Sequence, residues 1–186
     1  MQIQIDDELN LVLDIGNGFK LYHSPISKAV FEVNFKIIAA VKAELASKGI
    51  HYQMESGPRI ASLTLKDEAA KLGLDDNCRA LLVEIKRLSM VLIPTDLGWS
   101  MLPVDSAIKS GKIDDEDWQE VESALVFFTA HLSMANRKEK AKVAKAASSL
   151  LMGYVTSLDC SGLADSLQKS TQEDATVALV ASSVPV

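Results

Sequence analysis

The residues best placed to do chemistry stand in one short loop. The stretch "LVLDIGNGFKLYHSP", residues 11–25, carries Asp14-x-Gly16-x-Gly18 followed by Lys20. An actin-type ATPase grips nucleotide phosphates with turns of this composition, because glycine lets backbone amides approach an anion closely. Such a site is assembled from two related lobes, each with its own glycine-rich turn. This chain of 186 residues has no second turn of that type and no G-x-x-x-x-G-K-[ST] loop. The surrounding pattern explains the glycines differently. Ile3, Ile5, Leu9, Leu11, Leu13, Ile15, Phe19 and Leu21 all fall on odd positions, the period of strands with one buried face. A three-residue loop, Gly16-Asn17-Gly18, would pair Ile15 with Phe19 and Leu13 with Leu21 and keep that apolar face together. The stretch therefore reads as a hairpin turn.

The other reactive residue types form no constellation. His23, His51 and His131 share no motif, and Cys78 and Cys160 lie far apart with no C-x-x-C, so reduced thiols are expected. There is no G-x-S-x-G elbow and no H-E-x-x-H pair. Asp114, Asp115, Glu116 and Asp117 are consecutive carboxylates, but they open a strongly helical stretch, where they cap free amides and complement the helix dipole. No catalytic, cofactor-binding or metal-ligating residue is assigned, and no cofactor is expected.

Bulk properties narrow the class further. A net charge of −6 and a pI near 5.1 argue against a nucleic-acid binder, whose footprint is basic. The amino terminus, MQIQIDDE, lacks the basic and apolar regions of a secretory signal, and no apolar run approaches the ~18 residues of a membrane span. A soluble, intracellular protein with neither a nucleic-acid nor a membrane partner is expected.

The elements that must position any site are mostly helices. "SPISKAVFEVNFKIIAAVKAELASKG" predicts a long helix capped by Ser24 and closed by Gly49, with Ile26, Val30, Val33, Ile37, Val41 and Leu45 as its stripe. "GPRIASLTLKDEAAKLG" predicts a shorter one opened by Pro58 and ended near Gly73. A third is expected from Asp75 or Asp76 through "DNCRALLVEIKRLSMVLIP", stopped by Pro94. The segment "TDLGWSMLPVDSAIKSGKI" reads as turn-rich with one short helical stretch, and Trp99 as its anchor on the bundle. The helix from Asp114 buries Trp118, Val121, Leu125, Phe128 and Leu132. Val126 and Phe127 fall outside that stripe, so "ALVFFTAHL" is apolar around most of its circumference, implying central burial or a second contact surface. Arg137, Lys138, Lys140, Lys142 and Lys145 follow within nine residues, a solvated basic face or a match for an acidic partner. The expected architecture is mostly α within the α+β class. An N-terminal hairpin or three-stranded sheet (1–23) packs on a helical domain (24–155), and a flexible tail (156–186) follows.

The order of these segments resembles the tail assembly chaperones of long-tailed double-stranded DNA phages. The resemblance is carried by "YHSPISKAVFEVNFKIIAAVKAELASKGIHYQMESGPRIASLTLKDEA", "IKRLSMVLIPTDLGWSMLPVDSAI", "IDDEDWQEVESALVFFTAHLSMANRKE" and "TSLDCSGLADSL", across residues 9–170. It implies a non-enzymatic protein of the host cytoplasm. Such a protein binds the helix-rich tape measure protein, keeps it soluble until the tail tube polymerises around it, and leaves before the virion is complete. Contact with the tail tube protein and self-association are both compatible with that role. No binding residue is fixed by motif. Position alone nominates Val126 and Phe127 for apolar contact, and Arg137, Lys138, Lys140 and Lys142 for an acidic partner. The rival expectation is a tail or neck subunit retained in the virion, with the hairpin augmenting a neighbour's sheet.

Overall fold

A computed structural model of the chain describes residues 3–96, 98–150 and 155–157. Three strands come first, β1 (Ile3–Ile5), β2 (Leu11–Gly16) and β3 (Phe19–His23). Four helices follow: α1 (Lys28–Ser47), α2 (Ile50–Glu55), α3 (Gly57–Leu72) and α4 (Asp75–Arg87). Then come β4 (Ser89–Thr95), β5 (Gly98–Pro103), α5 (Val104–Lys109) and α6 (Asp115–Leu132). A 3-10 turn (Arg137–Glu139), α7 (Lys140–Leu150) and β6 (Val155–Ser157) complete the described chain. The α+β class stands, with the three N-terminal strands antiparallel. They belong, however, to a six-stranded sheet ordered β5-β4-β3-β2-β1-β6, in which only the β1–β6 pair is parallel. The hairpin and the helical region thus share one sheet and one core. Apart from Thr156 and Ser157, the tail expected over 156–186 lies outside the described residues, as does Cys160.

Two expectations about the strands are corrected. The loop of the β2–β3 hairpin has two residues, Asn17 and Gly18, both with positive φ, and Gly16 rather than Ile15 pairs with Phe19. A two-residue loop alone would set odd positions against even ones. A bulge between Asp14 and Gly16 absorbs the extra residue, so Leu13 still faces Leu21 and the apolar face survives. The second correction concerns "SMVLIP", which is strand rather than the end of α4. A short continuous apolar run is ambiguous between helix and strand. Here the open edge of β3 decides, pairing Leu21 with Val91 and His23 with Ser89. Pro94 sits near the end of β4 opposite Trp99, which lies in β5. Trp99 shares the sheet face of Met101 and Leu92, opposite to that of Leu21 and Val91, and Lys20 Nζ lies 5.3 Å from its ring centroid. Because β2 and β3 are interior strands, the hairpin has no free edge with which to augment a neighbour.

The helices cover the other face of the sheet, and their caps follow local chemistry. Ser27, not Ser24, caps α1, its Oγ accepting from the amide of Val30 at 3.3 Å. Ser24 instead donates its amide to the carbonyl of Leu88 at 3.1 Å. Gly49 precedes α2 rather than closing α1, whereas Gly73 ends α3 in the left-handed region as expected. The buried face of α1 is Asn34, Ile37, Ile38, Val41 and Leu45, which turns Val33 out to 70% exposure. One core unites Ile3, Leu13 and Leu21 of the sheet with Ile37, Leu65, Ile85 and Leu125 of the helices.

Candidate partner-binding surfaces

The glycine loop is accounted for by its own turn. Asp14 Oδ1 accepts the amide of Gly16 at 3.0 Å, closing an Asx turn that holds the bulge. Among the described residues no cluster of three His, Cys, Asp or Glu side chains forms a metal site.

The α6 segment settles at the centre of the molecule. It packs against α3, α1, α4 and β2, so it meets protein around most of its circumference. Val126 is 3% and Phe127 1% exposed, and their nomination as outward contacts is corrected. The physical reason lies in α3, which approaches closely because Gly57 has no side chain. A Cβ at Gly57 would stand 2.6 Å from Phe127 Cε2. Phe127 packs edge-on to Phe128 at 5.4 Å between centroids and lies 4.3 Å from the His131 ring. "ALVFFTAHL" is monomer core.

The buried polar groups serve packing. His131 donates from Nδ1 to the carbonyl of Phe127 at 2.8 Å, which leaves Nε2 to accept from the Gln53 amide. Burial lowers its pKa. His23, 2% exposed, meets Ser89 Oγ at 2.9 Å, and that hydroxyl donates to the carbonyl of Ile85 at 2.8 Å. The Ser89 oxygen therefore accepts from His23 Nδ1–H, and burial pushes the imidazole down to about 4. Cys78 is buried in α4, and its thiol is pushed up by the same effect.

The basic run divides. Lys140 is half-buried and tied to the β1–β2 turn, its Nζ donating to Glu8 Oε2 at 3.1 Å and to the Glu8 carbonyl at 3.3 Å. Lys138, Lys142 and Lys145 are exposed. Arg137 opens the 3-10 turn, and its side chain lies outside the described atoms.

The apolar surface open to a partner lies elsewhere, on residues that sequence periodicity assigned to the core or passed over. Val33 (70%), Leu63 (66%), Val83 (68%) and Phe35 (50%) stand out from α1, α3 and α4. Leu63 and Val83 were legible as apolar residues off their helices' buried stripes. Val33 was not, because it keeps the same spacing as its buried neighbours. Leu63 also lines a groove of about 570 Å³ between α3 and α6. Its walls carry Arg59 and Lys66 on one side and Glu116, Gln119 and Glu120 on the other. Ser62 Oγ donates to Glu122 Oε1 at 2.8 Å at the floor, and Lys66 Nζ stands 3.8 Å from the same carboxylate oxygen.

No family model matches the chain, and no match to it is found among curated proteins or solved structures.

Proposed function

We propose that this chain is a non-enzymatic tail assembly chaperone of a long-tailed double-stranded DNA phage. It acts in the host cytoplasm, binds the tape measure protein and holds it soluble until the tail tube polymerises. The segment-level resemblance over residues 9–170 supports the reading. The observation that carries it is apolar surface outside a complete core: Val33, Phe35, Leu63 and Val83 remain exposed while Phe127 and Phe128 are buried. A long amphipathic helix in water needs its apolar stripe covered, and outward-facing side chains on rigid helices provide such cover. Each contact is small, so a tube subunit can displace the chaperone, and many copies along one rod supply avidity.

The test is co-expression with a candidate tape measure protein, a long coiled-coil-like chain from the same genome, followed by pull-down and sizing. Solubility of that protein only in this chain's presence, with several copies co-eluting, is the expected result. Two proteins that neither associate nor alter each other's solubility would refute the reading. A permanent tail or neck subunit is the second reading, favoured by β5, which ends the sheet with one unpaired edge among the described residues. Presence of the chain in purified virions would select it.

A further inference from the structure

We propose that the groove between α3 and α6 receives the exposed basic face around Lys138 and Lys142 of a second copy of this chain, giving a head-to-tail, salt-sensitive assembly. The observation behind this is an uneven distribution of charge pairing. Over α1, α3 and α4, the surface carboxylates Glu32, Glu44, Asp67, Asp76 and Glu84 each lie within 4.0 Å of a lysine or arginine nitrogen, and the one left over, Asp75, stands in the first turn of α4, where the helix dipole compensates it. Along the groove, Glu122 takes Lys66, but Glu116 and Glu120 have no cation within that distance among the described residues. Dipole compensation accounts for Glu116, which stands in the first turn of α6. It does not account for Glu120, a full turn further on. Like charges at i, i+4 on one exposed face are mildly unfavourable, so the fold gains nothing from the pair. Glu120 also lines a second cleft of about 160 Å³ with Asp14 and Asp117, which extends the negative surface to the hairpin.

The matching surface lies on the same chain. Lys138 and Lys142 are exposed and four residues apart, as Glu116 and Glu120 are, with Lys138 in the 3-10 turn that leads into α7 and Lys142 in the first turn of that helix. Ala141 and Ala146 beside them are exposed and small, so α7 can settle against the groove without bulky obstruction, and Leu63 offers it an apolar edge. The two surfaces sit at opposite ends of β2. Lys140 anchors the start of α7 to Glu8 in the turn that leads into β2, whereas Asp14 meets the cleft with Glu120 where β2 ends. Those ends are on the order of 15 Å apart, so the complementary faces point to contact between molecules rather than within one. Donor and acceptor surfaces differ, and such an interface closes into a ring or continues as an open chain.

The proposal does not rest on the function proposed above and is tested on the isolated, full-length chain. Light scattering with size exclusion at low salt is expected to show an apparent mass rising with concentration above 20.1 kDa. The rise should vanish in about 1 M salt, where the Debye length is about 3 Å. Glu116→Lys/Glu120→Lys and Lys138→Glu/Lys142→Glu should each be monomeric at low salt with unchanged circular dichroism. Their equimolar mixture should recover the higher mass, since each reversed surface again meets its opposite. A wild-type monomer at every concentration would overturn the proposal, as would a mixture that stays monomeric. So would a monomer whose groove instead takes up a lysine-bearing helical peptide.

Discussion

His23 shows how one side chain can set the response of the whole fold to pH. Its Nδ1–H is held by Ser89 Oγ, and the ring is 2% exposed, so the folded chain resists protonating it until about pH 4. The unfolded chain takes up that proton near pH 6.5, the ordinary histidine value. Between those values the unfolded state binds more protons than the folded state, so stability rises with pH across the window and falls as pH drops through it. Taken to its lower end, the shift corresponds to about 3 kcal/mol. The urea midpoint is therefore expected to be lower at pH 5 than at pH 7, and His23→Gln to remove most of that difference while keeping a donor for Ser89. A wild-type midpoint that does not move between the two pH values would contradict this assignment. His131, lowered by burial as well, adds in the same direction. Neither role could be read from residue type. What the sequence offered was a histidine at a strand end and another beside two phenylalanines, and only pairing with Ser89 and Gln53 gave each its tautomer.

At the scale of elements, ends were more legible where a side chain makes the cap. Asp114 Oδ1 accepts the amide of Asp117 at 2.7 Å, as the run of carboxylates anticipated. Asp114→Ala is expected to cost about 1 kcal/mol in chemical denaturation, whereas Asp114→Asn, which keeps the acceptor, should stay close to wild type. Equal losses in both variants would assign the effect to charge against the helix dipole instead. Gly73 likewise marked the end of α3 through its left-handed φ of 66°. The β1–β2 turn gave no such signal, for it places Leu9 at φ 69°, an uncommon conformation for a branched side chain. Burial of that side chain to 3% exposure offsets the strain, and Asp6 Oδ1 holds the turn by accepting the amides of Glu8 and Asn10, each at 2.9 Å. The strand Ser89–Thr95 was illegible for a related reason. Its apolar run fits either helix or strand, and the ladder offered by β3 is a long-range partner no local window contains.

For the molecule as a whole, exposure separates two apolar groups of similar composition. Phe127 is sealed between α3 and its own helix neighbours, while Phe35 is half exposed on α1. Phe127→Asp would bury an unpaired carboxylate and lose ring packing, an expected cost of about 3–5 kcal/mol, enough to unfold a domain of ordinary stability. Phe35→Asp should change stability by less than about 1 kcal/mol yet lower the yield of soluble long partner in co-expression. Circular dichroism alongside that yield distinguishes the outcomes, and a folded Phe35→Asp that solubilises the partner as well as wild type removes α1 from the contact surface. The amino-acid sequence by itself determined the odd-numbered apolar face of the first strands, the helix-rich class, the glycine turn and the cap of α6. Each of these rests on periodicity or on groups within a few residues of one another. Tertiary structure alone decided the six-strand order, the bulge that restores the hairpin register, the inward turn of Val126 and Phe127 and the outward turn of Val33. Those outcomes depend on which face meets another element. A helix apolar on more than one side carries no local record of which sides its neighbours will cover.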